Sequence, residues 1–186
     1  ALRARMVAQS GLPDGWVLDC ACGSGIQLAA YGTALKRPVL GVELAEERAR
    51  ASAVNVRSMA EHSRAGSEDW YLTSRIVSGD GTDAEGVLQS LEGPLTTVAF
   101  LHLDPARPRN SRTHALEEMQ PPLHSVLTAW APHFTETDAG PAVLLDLSPR
   151  LTASQRAEVE ARVDAPWPGI ARTWEWTSRG RGRVDR

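Results

Sequence analysis

Short apolar runs bounded by turn-forming residues alternate with segments of helical period along almost the whole chain, and this alternation restricts the fold more than any other feature. "WVLDC" reads as a strand, "GIQLAAYGTAL" as a helix and "PVLGVE" as a second strand. "AEERARASAVNVRSMAEH" then places Ala49, Ala53, Val56 and Ala60 on one helical stripe. "SRIVSGD", "TTVAFLHLD" and "PAVLLDLS" continue as strands, separated by the helical "DAEGVLQSL" and by "LHSVLTAWAPHF", which Pro121 and Pro122 open. Such an order predicts an α/β domain with a parallel sheet. "TTVAFLHLD" is apolar enough to be buried on both faces, which puts it at the centre of that sheet. "TASQRAEVEARV" carries Thr152 and Gln155 at capping-box spacing. "ARTWEWTS", the turn "RGRG" and "RVDR" read as the start of a terminal antiparallel hairpin.

Composition narrows the classes. With 186 residues, 42% of them hydrophobic, the chain suits one globular domain spanning residues 1–186. No apolar run approaches the roughly 18–20 residues of a membrane span, and "ALRARMVAQSGLPDG" lacks the apolar centre of a signal peptide. Cys20 and Cys22 are too close for an ordinary disulfide and too few for a zinc site, which points to a reducing compartment; the expected location is cytoplasmic and no metal is expected. Nineteen arginines accompany a single lysine, Lys36, which excludes any mechanism that needs two lysines. The chain opens on Ala1 and stops shortly after a strand-like run, so a fragment with an incomplete C-terminal end is expected.

The chemistry concentrates in "WVLDCACGSGIQLA", where an apolar run ends on an acid and falls into small residues. In open parallel sheets ligands lie outside the carboxyl ends of the strands, where this turn falls. Gly23 and Gly25 permit close backbone approach and positive φ, and amides at the start of the next helix can meet an anionic or polar group. Asp19 adds a carboxylate for a cation, and Glu43, 20 residues after Gly23, stands where a ribose diol would be held. A nucleoside amino acid suits that set. A nicotinamide dinucleotide is the rival, but its G-x-G-x-x-G fingerprint needs a glycine where this chain has Leu28.

"VLDCACGSG" resembles motif I of the class I S-adenosylmethionine-dependent methyltransferases, with Ala21 in place of the first glycine. "VLGVELAEERARASAVN" is similar to the second motif and "IVSGDGTD" to the third, while "FLHLDPARPRN" falls where motif IV belongs, so the resemblance covers residues 16–110. It implies a Rossmann-like doubly wound, mostly parallel sheet of about seven strands, with S-adenosylmethionine as cofactor. It implies that Asp19, Ala21, Cys22, Gly23, Ser24 and Gly25 hold that cofactor, that Glu43 takes its ribose, and that Asp80 with Gly81 faces its adenine amine.

Motif IV here is Asp104-Pro105-Ala106-Arg107. Methyltransferases acting on exocyclic amines commonly carry an aromatic where Arg107 stands, and carbon-5 pyrimidine enzymes need a later cysteine nucleophile, which this chain lacks after Cys22. "DPARP", "QPPL", "DLSP" and "EWTSRGRGRVDR" resemble a prokaryotic D-P-x-R group with a THUMP-like C-terminal region, which implies structured RNA, tRNA or rRNA, as acceptor. The resemblance then makes Asp104 and Arg107 catalytic and places Pro105, Arg109, Arg112, Arg179 and Arg181 against the substrate, with Arg183 beside them. An ordinary solvated arginine surface is the other reading of those arginines. His102 reads as a satisfied core histidine, Cys20 and Cys22 as packing residues, and Trp174 and Trp176 as packing in preference to base stacking. Outside this family the alternatives are a nicotinamide-dependent oxidoreductase and a catalytically silent RNA-binding or scaffold protein.

Overall fold

The computed structural model describes residues 2–62, 69–91, 93, 97–108, 115–138 and 140–176. Their strands are β1 (Trp16–Asp19), β2 (Val39–Glu43), β3 (Arg75–Ser78), β4 (Val98–Leu103) and β5 (Ala142–Leu145). They form one sheet in the order β3-β2-β1-β4-β5, and every neighbouring pair is parallel. All six residues of β4 are buried, as its unbroken apolar run requires.

Helices cover both faces, which is what parallel crossovers impose. On one face lie α1 (Leu2–Ala8), α2 (Ile26–Leu35), α3 (Glu46–His62) and α4 (Trp70–Thr73), packed through Ala4, Leu28, Tyr31, Val56 and Trp70 onto Val17 and Phe100. On the other lie α5 (Ala84–Gln89), α6 (Leu123–Trp130) and α7 (Ala153–Asp164), packed through Val87, Leu127, Trp130 and Val159 onto Leu18, Leu101 and Leu103. Truncating any one of those fully buried leucines to alanine costs about 2–5 kcal/mol.

Local sequence explains the elements. The capping box of α7 forms: Gln155 N donates to Thr152 Oγ1 at 3.2 Å and Thr152 N to Gln155 Oε1 at 2.9 Å. Pro122, extended, precedes α6. In α3 the buried stripe is Ala49, Ser52, Val56 and Ala60, so Ser52 occupies the place expected of Ala53, which is exposed.

Two expectations are corrected. Among the described residues the sheet has five strands, not about seven, and residues 171–176 of "ARTWEWTS" join no ladder. The alternating tryptophans have the period of a strand, but they dock by side chain on α7, where Trp174 Nε1 donates to Glu160 Oε1 at 2.7 Å. The second arm of the expected hairpin lies outside the described residues. Helix α1 is an addition: at seven residues with Ala4 buried, it is too short to show a period. No helix among the described residues is long and apolar enough to cross a membrane.

Candidate functional site

Every strand of this sheet runs out into an acid at its carboxyl end. Asp19 closes β1, Glu43 closes β2, Asp80 follows β3, Asp104 follows β4 and Asp146 follows β5. Four of these are expected site residues; Asp146 is not, although the same strand-end rule would have found it.

Between β1 and α2 the chain turns through Gly23 at φ +53° and Gly25 at φ +72°. A Cβ on Gly25 would lie 2.2 Å from Ser52 Oγ, so only glycine lets the loop rest on α3. A Cβ on Gly23 would meet nothing nearer than Ala21 O at 3.9 Å, which leaves that side of the loop open. Gly25 N donates to Cys22 O at 2.8 Å, Cys22 N to Val42 O at 3.1 Å and Asn55 Nδ2 to Ser24 O at 2.9 Å, so the turn is held from inside, from β2 and from α3.

Glu43, 5% exposed, receives this loop. Its Oε2 accepts from Gly23 N at 3.2 Å, while its Oε1 accepts from Ala45 N at 3.0 Å and from Arg48, whose Nε lies at 2.9 Å and Nη2 at 2.7 Å. A carboxylate offers about four lone-pair sites. Oε1 is therefore filled, and Oε2 retains capacity for one further donor. Asp80 is exposed and turns back on its own loop, its Oδ1 accepting from Thr82 N at 2.8 Å and Thr82 Oγ1 at 2.7 Å. Its Oδ2 has no partner among the described residues. Gly81 packs on Cys20, and its carbonyl accepts from Trp130 Nε1 at 2.9 Å.

Both thiols are inert. Burial pushes Cys20 well above the ordinary thiol range and Cys22 up to about 12, the latter against a contact with Ser52 Oγ at 3.5 Å. Neither is a thiolate near neutral pH, so neither is a nucleophile.

Sequence reasoning missed a chain of charges that crosses the sheet, buried at Asp19 and His102 and partly exposed at Asp146 and Arg3. Register places His102 of β4 opposite Asp19 of β1. His102 Nδ1 lies 2.7 Å from Asp19 Oδ2 and Nε2 lies 3.1 Å from Asp146 Oδ2; Arg3 Nη2 lies 3.0 Å from the other oxygen of Asp146. At the far end, Ala21 N donates to Asp19 Oδ1 at 3.0 Å. A carboxylate within hydrogen-bond reach of each ring nitrogen favours the imidazolium form of His102, in which both nitrogens donate. Burial opposes that charge, but the hydrogen bonds to Asp146 and Asp19 outweigh it and hold the pKa at about 9. His102 is 2% exposed, with its ring 5.2 Å from that of Tyr31. The expectation of a satisfied core histidine holds, although its partners are two acids.

Across β4 from the glycine loop opens a cleft of about 950 Å³, lined by residues that include Arg3, Asp104, Arg107, Asp146, Arg156 and Trp176. Its size is at the upper end of the ~300–1,000 Å³ of small-molecule sites. A reciprocal pair of 2.9 Å backbone hydrogen bonds between Ala106 and Gln120 pins the Asp104–Arg107 segment, and Pro105 is buried. The Asp104 side chain is accessible, yet partial loss of hydration and then repulsion from Asp146 raise its pKa above the usual carboxylate value. Nε and Nη2 of Arg107 are buried without a hydrogen-bond partner among the described residues, and burial disfavours the guanidinium charge.

The structure thus brings Asp19, Ala21, Cys22, Gly23, Ser24, Gly25 and Glu43 together at one loop cluster, with Asp104, Pro105 and Arg107 beyond β4. Asp19, His102 and Asp146 connect the two. Arg109, Arg112, Arg179, Arg181 and Arg183 lie outside the described residues.

No protein-family profile matches the chain, and no curated protein does. Solved structures do. The chain is similar to a provisionally named methyltransferase from Porphyromonas gingivalis W83 (TM-score 0.56, 19% identity, 85% of this chain on 34% of that one). It is also similar to a provisionally named rRNA methylase from Clostridium thermocellum (TM-score 0.52, 9% identity, 91% of this chain on 81% of that one). A third is a precorrin 8W decarboxylase from Methanobacterium thermoautotrophicum (TM-score 0.50, 12% identity, 88% of this chain on 70% of that one). At these identities the likeness is one of fold: an α/β Rossmann-like architecture with a parallel sheet, shared with methyltransferases. The chain spans about a third of the Porphyromonas protein.

Proposed function

We propose that the chain is a class I S-adenosylmethionine-dependent methyltransferase whose acceptor is structured RNA. The observation that carries this reading is the spare acceptor capacity of the acids that end β1, β2 and β3. Glu43 Oε2 has room for a ribose hydroxyl, Asp19 retains a lone pair on each oxygen for an ammonium, and Asp80 Oδ2 is open to an adenine amine. The open side of Gly23 gives such a ligand backbone to lie against, and a nicotinamide dinucleotide has no ammonium for Asp19. The likeness of fold to proteins named as methyltransferases supports the same reading.

When bound, S-adenosylmethionine supplies an electrophilic methyl group on a positively charged sulfur for direct transfer to a nucleophilic atom. The chain's own work is positioning and electrostatics. Asp104, with its pKa raised, accepts a hydrogen bond or a proton from the acceptor. Arg107, which lines the same cleft, supplies positive charge toward an anionic or polar group of that acceptor. His102 holds Asp19 fixed in orientation. The inert thiols of Cys20 and Cys22 favour this over a covalent route.

For the acceptor, support comes from the arginines of the cleft. Arg150 and Arg156 have no carboxylate partner among the described residues, and they line it with Arg107. Arg109, Arg112, Arg179 and Arg181 extend the same role in this proposal, and "DPARP", "QPPL" and "DLSP" support placement in the D-P-x-R group. The test is transfer of tritiated methyl from S-adenosylmethionine to total RNA from a strain deleted for the gene. Label in RNA is expected; label in the protein fraction alone, or none, overturns the RNA acceptor.

A further inference from the structure

Trp176 is a large apolar side chain left 54% exposed, and it is neither at a core edge nor alone. Its ring stacks on that of Trp174, with centroids 6.4 Å apart and planes inclined by 29°. Trp174 is fixed twice, by packing against the core beneath α6 and α7 and by its indole hydrogen bond to Glu160. The guanidinium carbon of Arg156 lies 6.0 Å from the Trp176 centroid, and Arg156 Nη1 is itself anchored on Leu151 O at 2.7 Å. An indole pair whose inner ring is anchored, with a tethered cation over the outer ring, therefore lines the same cleft as Asp104 and Arg107.

We infer that Trp176 is a stacking shelf for an unpaired RNA base, with Arg156 at its ring and Arg150 in the same cleft to meet the adjoining phosphates. The inference rests on the RNA reading above and adds the subsite and the form of RNA it takes. A flat π face is what every base offers to an aromatic side chain, whereas a base inside a duplex is already stacked on both sides. An arginine at that ring and a second in the same cleft, neither with a carboxylate partner among the described residues, suit a nucleotide, which carries an anion close to its ring; an aromatic side chain of a protein acceptor brings no such charge. The shelf also supplies what the segment after β4 lacks, because Arg107 leaves no aromatic beside Asp104.

The test is fluorescence anisotropy of a short labelled single-stranded RNA of mixed sequence, and of a fully paired duplex of the same sequence, against the full chain, Trp176→Ala and Trp176→Phe. Trp176→Ala is expected to weaken single-strand binding by roughly 5- to 150-fold, the equivalent of ~1–3 kcal/mol for one stacked base. Trp176→Phe should restore most of it. Duplex binding, the salt slope and S-adenosylmethionine affinity should not move, because every phosphate-facing and cofactor-facing group is still in place. If the unaltered chain binds single strands and Trp176→Ala binds them equally well, the shelf is overturned and the RNA reading stands. If the unaltered chain binds neither RNA, both fall. If Trp176→Ala loses single strand, duplex and cofactor together, Trp176 is structural and the shelf is overturned.

Discussion

Around Glu43 most polar atoms have a protein partner, whereas across β4 Nε and Nη2 of Arg107 have none among the described residues. The first region is a turn of small residues closed by hydrogen bonds from β2 and α3, with one lone pair left over at a strand end. The second is a wide cleft lined by a pinned segment with an accessible acid, Asp104, and by Arg107, Arg150 and Arg156. A ligand entering the first region completes a set that is nearly full, so it is recognised by fit; one entering the second must bring its own hydrogen-bond acceptors, so it is selected by charge. Fixed cofactor and variable acceptor suit that division of labour.

If the division is right, a change on one side should leave the other untouched. The largest effect is expected at Asp104: Asp104→Ala should reduce methyl transfer by ~100-fold or more, while calorimetry shows S-adenosylmethionine affinity within a few-fold of the parent. Retained turnover breaks the assignment. Next is Glu43→Ala, expected to weaken S-adenosylmethionine binding by at least about tenfold, or about 1.4 kcal/mol. A dissociation constant that does not change removes Glu43 from the cofactor site.

His102 joins the two regions, and its test is one of pH. Its folded pKa of about 9 exceeds the ordinary ~6.5 of the unfolded chain. The stability it contributes is therefore fully present below about pH 6.5 and is lost as pH rises through about 9. Melting temperatures followed from about pH 6 to about pH 10 should fall in this window, and His102→Gln should flatten the fall. Identical profiles for the two proteins contradict the ion chain. The smallest effect is expected for Arg109→Gln with Arg112→Gln, which should lower the salt slope of RNA binding by roughly 0.7–0.9 log units for each phosphate that goes unneutralised. An unchanged slope makes these arginines surface residues.

The glycine loop and its acids are legible because strand ends fix them: a buried parallel strand is a continuous apolar run, and Asp19, Glu43 and Asp104 sit where such runs stop. The chain from Ala21 to Arg3 is not legible. Its links join β1 to β4 and β4 to the end of β5 across 83 and 44 residues, and only the pairing register brings them within 2.7 and 3.1 Å. The alternating Trp174 and Trp176 mislead in the other direction, since alternation records which side a residue faces and not whether a neighbouring strand exists. The stripe of α3 slips for a similar reason: a helix advancing by three and then four residues buries Ser52 where a simple four-residue step from Ala49 selects Ala53.

The most direct test of the central claim is a thermal-shift measurement on the full chain with S-adenosylmethionine, S-adenosylhomocysteine and NAD(P) in turn. A ligand that binds only the folded state at about 100 times its dissociation constant adds ~2.7 kcal/mol of stability. Both sulfur nucleosides are expected to raise the melting temperature, with NAD(P) leaving it in place; stabilisation by NAD(P) alone would contradict the account.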